Sequence, residues 1–161
     1  INSAHYIGAL VMIIELQKKL TDHYWVNIVD ENIPFLGLIE HTNMISKKLY
    51  GNKNLIYLTN YLDRNHKYFS LSNSEMLEVY LPHLKKFNKD FSEKWITNHH
   101  MNSLSAAQPI IGKNYSKNIP QHNTPIKNLF LANTTQIYPE DRGTNYSIRM
   151  GKEIADKLNK T

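Results

Sequence analysis

The chain has no cysteine among its 161 residues. Disulfides and thiol catalysis are therefore excluded, and a reducing compartment such as the cytoplasm is the expected location. No apolar run approaches the ~20 residues that a membrane-spanning helix needs. The longest, Ile7 to Ile14, suits a buried strand. None of the six glycines forms G-x-G, so the dinucleotide-binding fingerprint is missing. G-x-S-x-G is missing too, and with it a nucleophile elbow. Eight histidines are present, yet none has H-x-x-x-H or H-E-x-x-H spacing, and His99 and His100, being adjacent, would point to opposite faces of a strand. No metal site is expected. There is no internal repeat and no low-complexity tract.

What is present is ordinary for one folded domain: 41% apolar and 20% charged residues, in a chain long enough to bury roughly two thirds of its unfolded surface. The net charge of +5 invites a nucleic-acid reading. Its lysines, however, are scattered in ones and twos (Lys18-Lys19, Lys47-Lys48, Lys85-Lys86). A phosphate-tracking surface needs clusters, so a solvated surface is expected and no nucleic acid. Asn114, Asn133 and Asn145 open N-x-[ST] triplets, read here as chance matches.

The first half reads as strands, near Tyr6–Leu16, Tyr24–Val29, Gly37–Thr42 and Leu55–Tyr61, rich in Val, Ile, Tyr and Trp and separated by turn-formers such as Gly51-Asn52-Lys53-Asn54. Short connections favour antiparallel neighbours. Ser72 with Glu75 three residues on predicts a capping box, flanked by Leu71 and Met76 as a hydrophobic staple. Met76, Leu77, Tyr80, Leu81 and Leu84 form the apolar stripe, and Pro82 within it predicts a kink or two short helices. Trp95–Met101 is a further, weakly patterned strand. A polar connection punctuated by Gly112, Pro120 and Pro125 then leads to the last stretch.

That stretch, Asn128–Leu158, reads as strand, loop and helix. Asn128-Leu129-Phe130-Leu131-Ala132 is apolar and uncharged, as a strand buried on both faces would be. Asn133-Thr134-Thr135-Gln136 lies at its C-terminal end, where open α/β sheets bind ligands. A loop through Glu140-Asp141-Arg142, which would either bear on a substrate or cofactor or, more often for such a trio, form a solvated or self-paired turn, reaches Gly143 and opens a helix at Thr144 or Asn145. Ser147, Gly151, Ile154, Ala155 and Leu158 would share one face of it, with Gly151 permitting close backbone packing. The helix N-terminus suits a phosphate or an electron-rich carbonyl.

Leu129-Phe130-Leu131-Ala132-Asn133-Thr134-Thr135, Tyr138-Pro139-Glu140-Asp141-Arg142-Gly143-Thr144-Asn145 and Arg149-Met150-Gly151-Lys152-Glu153-Ile154-Ala155 together resemble the C-terminal signature of FAD-dependent flavoproteins. That group includes flavin-containing amine oxidases, protoporphyrinogen oxidases and phytoene desaturases, with UDP-galactopyranose mutase a more distant relative. Upstream, the stretch from Tyr24-Trp25 to Asn43, with Pro34-Phe35-Leu36-Gly37-Leu38-Ile39-Glu40-His41-Thr42-Asn43, resembles a bacterial branch described as protoporphyrinogen-oxidase-like or amine-oxidase-like. In the family the helix N-terminus lies against the flavin's pyrimidine edge, and the preceding strand end meets the ribityl-phosphate chain. The resemblance thus implies cofactor contacts at Asn133, Thr134, Thr135, Gly143, Thr144 and Asn145. The chain departs from the family's Ala-Gly-Asp/Glu-Thr at Asn133, where Gly would stand, and at Thr134, where the acid would stand.

With the Gly-rich fingerprint absent, the resemblance implies the C-terminal part of a larger enzyme, and a chain opening on Ile1 agrees with that expectation. The implied fold is α+β. A mainly antiparallel or mixed sheet of substrate-domain type with one or two helices fills residues 1–107, residues 108–127 cross over, and 128–161 supply a strand and helix of a split, Rossmann-like FAD-binding domain. Glu40-His41 would close a strand, or line that sheet's substrate face. FAD is expected in the intact protein, and weak or no FAD binding in this chain alone. The expected partners are a small-molecule substrate, the N-terminal FAD-binding portion of the same protein and a second copy of the chain. The implied reaction is two-electron oxidation of a C–N or C–C bond, and no catalytic residue is assigned. Two alternatives stand beside it. One is a flavin-dependent sugar-nucleotide mutase, for which only Arg64, Arg142 and Arg149 are at hand. The other is a non-catalytic interaction domain.

Overall fold

A computed structural model describes residues 5–159. The described residues divide into two compact units, one of Ile7–Gln108 and one that joins residues 109–159 to residues 5–6. The first is called the sheet unit below and the second the tail unit.

The sheet unit is built on one five-stranded antiparallel sheet. Its strands are β1 (Tyr6–Leu16), β2 (Trp25–Asn27), β3 (Gly37–Glu40), β4 (Asn54–Leu62) and β5 (Ile96–Pro109), in the order β2-β3-β4-β1-β5. One helix, α1 (Asn73–Leu84), interrupts them. The β1 stretch, apolar on both sides of the pleat, is sorted by burial: Leu10, Met12, Ile14 and Leu16 lose all contact with solvent, while Ala9, Val11, Ile13 and Glu15 stay half-buried. Register carries the same division across the sheet. Met12 pairs with Leu58 and Ile14 with Ile56 on the buried face, Val11 with Thr59 and Ile13 with Tyr57 on the other. A slip of one residue would exchange the two faces, which fixes this register firmly.

Met76, Tyr80 and Leu84 of α1 share the buried face's core with Phe35, whose ring meets that of Tyr80 edge-on at 5.2 Å. The capping box forms as read: the Glu75 N–H donates to Ser72 Oγ (3.3 Å) and the Ser72 N–H to Glu75 Oε2 (2.8 Å). The kink expected at Pro82 does not divide the helix. Pro82 sits in the last turn, where the backbone bond it removes is among the last of the ladder. The strands expected to end at Val29 and Thr42 stop at Asn27 and Glu40, and His41–Asn43 turns instead into a single 3₁₀ turn. The weakly patterned strand near Trp95–Met101 runs on to Pro109.

The tail unit holds α2 (Thr144–Leu158) and short 3₁₀ turns at Tyr115–Lys117 and Thr134–Gln136. The strand expected over Asn128–Ala132 is not present. Its backbone folds back on the residues just before it: Asn123 bridges Phe130, the Leu131 N–H donates to the His122 carbonyl (2.8 Å), and Asn128 turns the chain at φ +63°. A local hairpin-like loop thus takes up the backbone groups that a parallel strand would offer to a neighbour, and Leu129 is 49% exposed. The expected stripe of α2 is also displaced. Of its residues only Ile154 is buried, while Tyr146, Ser147 and Met150 are partly shielded. Gly151 has open space around it, so close backbone packing is not its role. Among the described residues no helix is long and apolar enough to cross a membrane.

Candidate functional site

The six residues singled out in the tail unit fall into two groups with different surroundings. Asn133 is extended (φ −153°, ψ 172°) and caps the turn Thr134–Gln136. Its Oδ1 accepts from the Thr135 N–H (3.0 Å) and the Thr135 hydroxyl (2.5 Å), and its own N–H donates to Gln136 Oε1 (2.8 Å). Thr135 is buried, and its carbonyl accepts the Tyr115 hydroxyl at 2.7 Å. The polar atoms of Asn133 and Thr135 therefore serve each other. Thr134, between them, is exposed. Gln136 completes the knot by donating through Nε2 to the carbonyls of Pro120 and Leu131, both at 3.1 Å. The spacing Asn-x-x-Gln over 133–136 is itself a capping-box pattern, the local signal that marks this turn as self-satisfied.

Gly143, Thr144 and Asn145 form the second group. Gly143 is the N-cap of α2, with no side-chain cap and no acidic residue in the first turn, and Thr144 and Asn145 are exposed. A Cβ on Gly143 would collide with Asn145 Oδ1. The helix thus starts on bare N–H groups carrying the positive end of the dipole. The preceding turn does not compete for them. Arg142 donates to the Pro109 carbonyl (2.9 Å), and Arg149 pairs with Glu140 (2.8 Å), whose carboxyl that pairing draws below its ordinary value. Tyr138-Pro139 is a cis peptide. A cavity of about 250 Å³ lies along Ile137–Arg142 and Ile111.

The sheet unit carries a second candidate surface that strand-by-strand reading missed. On the face away from α1, register sets Trp25 beside Ile39 and Ile39 beside Tyr57. Asn27 lies beside Gly37, Gly37 beside Thr59 and Thr59 beside Val11. A hollow of about 330 Å³ opens there, bordered by Trp25, Leu36 and Tyr61, which are 54%, 51% and 51% exposed. Trp25 Nε1 donates to Asn27 Oδ1 at 2.7 Å, which holds the indole in place. The partial alternation of Leu55–Tyr61 is the one hint in the sequence, but the hollow exists only once four strands are aligned.

Glu40 is not at a substrate face. It is fully buried, and its two oxygens accept from the backbone N–H groups of Leu20 (3.0 Å) and Thr21 (2.5 Å), so it clamps the β1–β2 connection. His41, beyond it, is bonded to the Tyr50 hydroxyl (2.8 Å). No family model and no curated protein matches the chain.

The residues fit an FAD edge in part. The open α2 N-terminus and the exposed Thr134 hydroxyl suit an electron-rich ring edge and a polyol chain, whereas Asn133 and Thr135 are engaged with each other.

Proposed function

We propose that the chain is the C-terminal part of an FAD-dependent oxidoreductase similar to amine and protoporphyrinogen oxidases, acting on a small-molecule substrate. The observation that supports this most is the start of α2: a helix of 15 residues opening on Gly143 with no cap and no acid, within the stretch that carries the flavoprotein resemblance. In this reading Gly143, Thr144 and Asn145 hold the electron-rich edge of the flavin through backbone N–H groups, and Thr134 offers a hydroxyl to its polyol chain. Asn133 and Thr135 keep that loop in shape. FAD, when bound, supplies the two-electron acceptor for turning a C–N or C–C single bond of the substrate into a double bond. The open face of the sheet, with Trp25, Thr59 and Tyr61, is the substrate side. The Rossmann-like part of the reading requires the N-terminal portion of the same protein, which would bring the phosphate-binding turn that this chain lacks.

The mutase reading loses ground because Arg142 is bonded to a backbone carbonyl and Arg149 to a carboxylate, which leaves little of a diphosphate clamp. The test is direct. The complete protein, purified and supplied with FAD, is expected to show the absorption bands of bound oxidised flavin, and their absence ends the reading. The isolated chain is expected to bind FAD weakly or not at all, since one edge of a site must still meet an association cost of several kcal/mol or more. A sub-micromolar constant by calorimetry would contradict that part.

A further inference from the structure

The hollow on the open face of the sheet is a feature of register. Its floor is set by the two smallest residues of the face. Gly37 has no side chain where it lies between Asn27 and Thr59, and Ala9 lies opposite Tyr61. Around this floor stand large, half-exposed side chains: the indole of Trp25, the Leu36 side chain and the Tyr61 ring. Gly37 cannot be enlarged freely, because a Cβ there would lie 2.9 Å from Thr59 Oγ1. The depression is therefore built in, with aromatic walls and a small floor. Its volume of about 330 Å³ falls at the lower end of small-molecule sites.

No Asp, Glu, Lys, Arg or His lines it. The polar groups that do are neutral. Asn27 Oδ1 is taken by Trp25, and Thr59 Oγ1 donates to the Gly37 carbonyl at 3.4 Å while keeping acceptor capacity. A charged ligand entering this hollow would lose hydration and gain no counter-charge. A flat, uncharged ring would gain stacking on Trp25 and Tyr61, and a hydroxyl on it could donate to Thr59 Oγ1.

We propose that this hollow binds an uncharged, planar aromatic or conjugated small molecule that carries a hydroxyl group. The inference deepens the oxidoreductase reading and rests on it for the role of the ligand. It favours dehydrogenation of a neutral conjugated substrate over that of an alkylammonium ion.

The experiment titrates three probes of one shape, 2-naphthol, 2-naphthoate and 2-naphthylmethylammonium, into the 161-residue chain, followed by amide NMR shifts and tryptophan fluorescence. Saturable binding of 2-naphthol is expected, with the largest shifts at Leu36, Gly37 and Thr59, and with both ions at least about tenfold weaker. Trp25→Ala should weaken 2-naphthol about tenfold, whereas Trp95→Phe should leave it unchanged. Should Trp25→Ala fail to fold, Ala9→Leu, which fills the floor from a half-exposed position, should block the probe. Equal binding of all three probes overturns the proposal, as does shift mapping to other residues or indifference to both variants. Groove amides that respond to protein concentration but not to 2-naphthol would show a second copy seated there and overturn it too. A complete protein that takes 2-naphthol but never holds flavin fails the oxidoreductase reading alone. A flavin-loaded protein with an indifferent hollow fails this inference alone.

Discussion

The carboxylate of Glu40 accepts a 2.5 Å hydrogen bond from the backbone N–H of Thr21, nineteen residues earlier in the chain. With the Leu20 N–H on its other oxygen at 3.0 Å, it satisfies two donors that the β1–β2 connection would otherwise leave without partners. Glu40→Gln keeps the shape but turns one acceptor into a donor facing an N–H, and is expected to cost about 1–3 kcal/mol in denaturant unfolding. The loss should also depend on pH. Burial pushes the Glu40 carboxyl above its ordinary value of 4.5, against the pull of the Thr21 and Leu20 donors. A folded-state value above the unfolded one makes this group's contribution greatest below the unfolded value and reduces it as pH rises through the folded value. The stability gap between the wild type and Glu40→Gln should therefore be widest near about pH 4 and narrow toward neutrality. A gap that widens with pH would show that the backbone donors outweigh burial.

Gly8 faces the core from β1, where a Cβ would lie 2.5 Å from Phe69 Cζ and 3.2 Å from the Leu104 carbonyl oxygen. The ring can swing, but the backbone oxygen of β5 is fixed. Gly8→Ala is expected to destabilise by about 1–3 kcal/mol through overpacking. A thermal midpoint equal to the wild type's would mean that Phe69 repacks at no cost.

Local signals were legible in the sequence, and signals that depend on pairing were not. Ser72 and Glu75 report a helix start within four residues, and the apolar alternatives along Tyr6–Leu16 report a strand. Trp95–Met101, by contrast, carries only a weak strand pattern, and β5 extends past it to Pro109 as the sheet's edge strand beside β1, with most of its residues exposed. The apolar run Leu129–Ala132 misled because composition does not say which backbone will be its partner. In the structure that partner is 122–124, reached by the turn at Asn128. At the candidate cofactor edge, a helix opening at Gly143-Thr144 was readable from those residues themselves. The closed turn at Asn133 is encoded in its spacing to Gln136, three residues on, which accepts the Asn133 N–H. Of the hollow only the partial alternation of Leu55–Tyr61 was readable, because Ala9, Gly37 and Thr59 are brought onto one face only by β-sheet register.

Tyr115 locks the turn that presents Thr134. Its hydroxyl, pushed above its ordinary value by burial, donates to the Thr135 carbonyl at 2.7 Å, and its ring packs 5.6 Å from that of Tyr138. Tyr115→Phe keeps the ring contact and strands the buried carbonyl, at a cost of about 1–3 kcal/mol. Because the change is confined to this turn, faster hydrogen exchange is expected at Gln136 and Ile137, whose N–H groups bond the carbonyls of Asn133 and Thr134. Unchanged exchange there would place the Thr135 carbonyl in contact with water.

The start of α2 allows a test in which stability and cofactor affinity move in opposite directions. An acid in the first turn of a helix interacts favourably with the dipole, and α2 has none there. Thr144→Asp should therefore stabilise the 161-residue chain by about 0.3–1 kcal/mol at low ionic strength, read as a raised melting temperature that salt diminishes. The same charge would stand where the flavin's electron-rich edge is proposed to lie, and a fixed negative charge opposes the negative charge that edge gains on reduction. In the complete protein, Thr144→Asp should weaken FAD binding by roughly fivefold or more, about 1 kcal/mol, and disfavour the reduced flavin relative to the oxidised form. Thr144→Asn, similar in size and uncharged, should leave both properties close to the wild type's. If Thr144→Asp raises stability while FAD affinity and reduction potential stay unchanged, the Gly143–Asn145 edge does not touch the cofactor. A fall in stability would mean that the first turn already has its positive end neutralised.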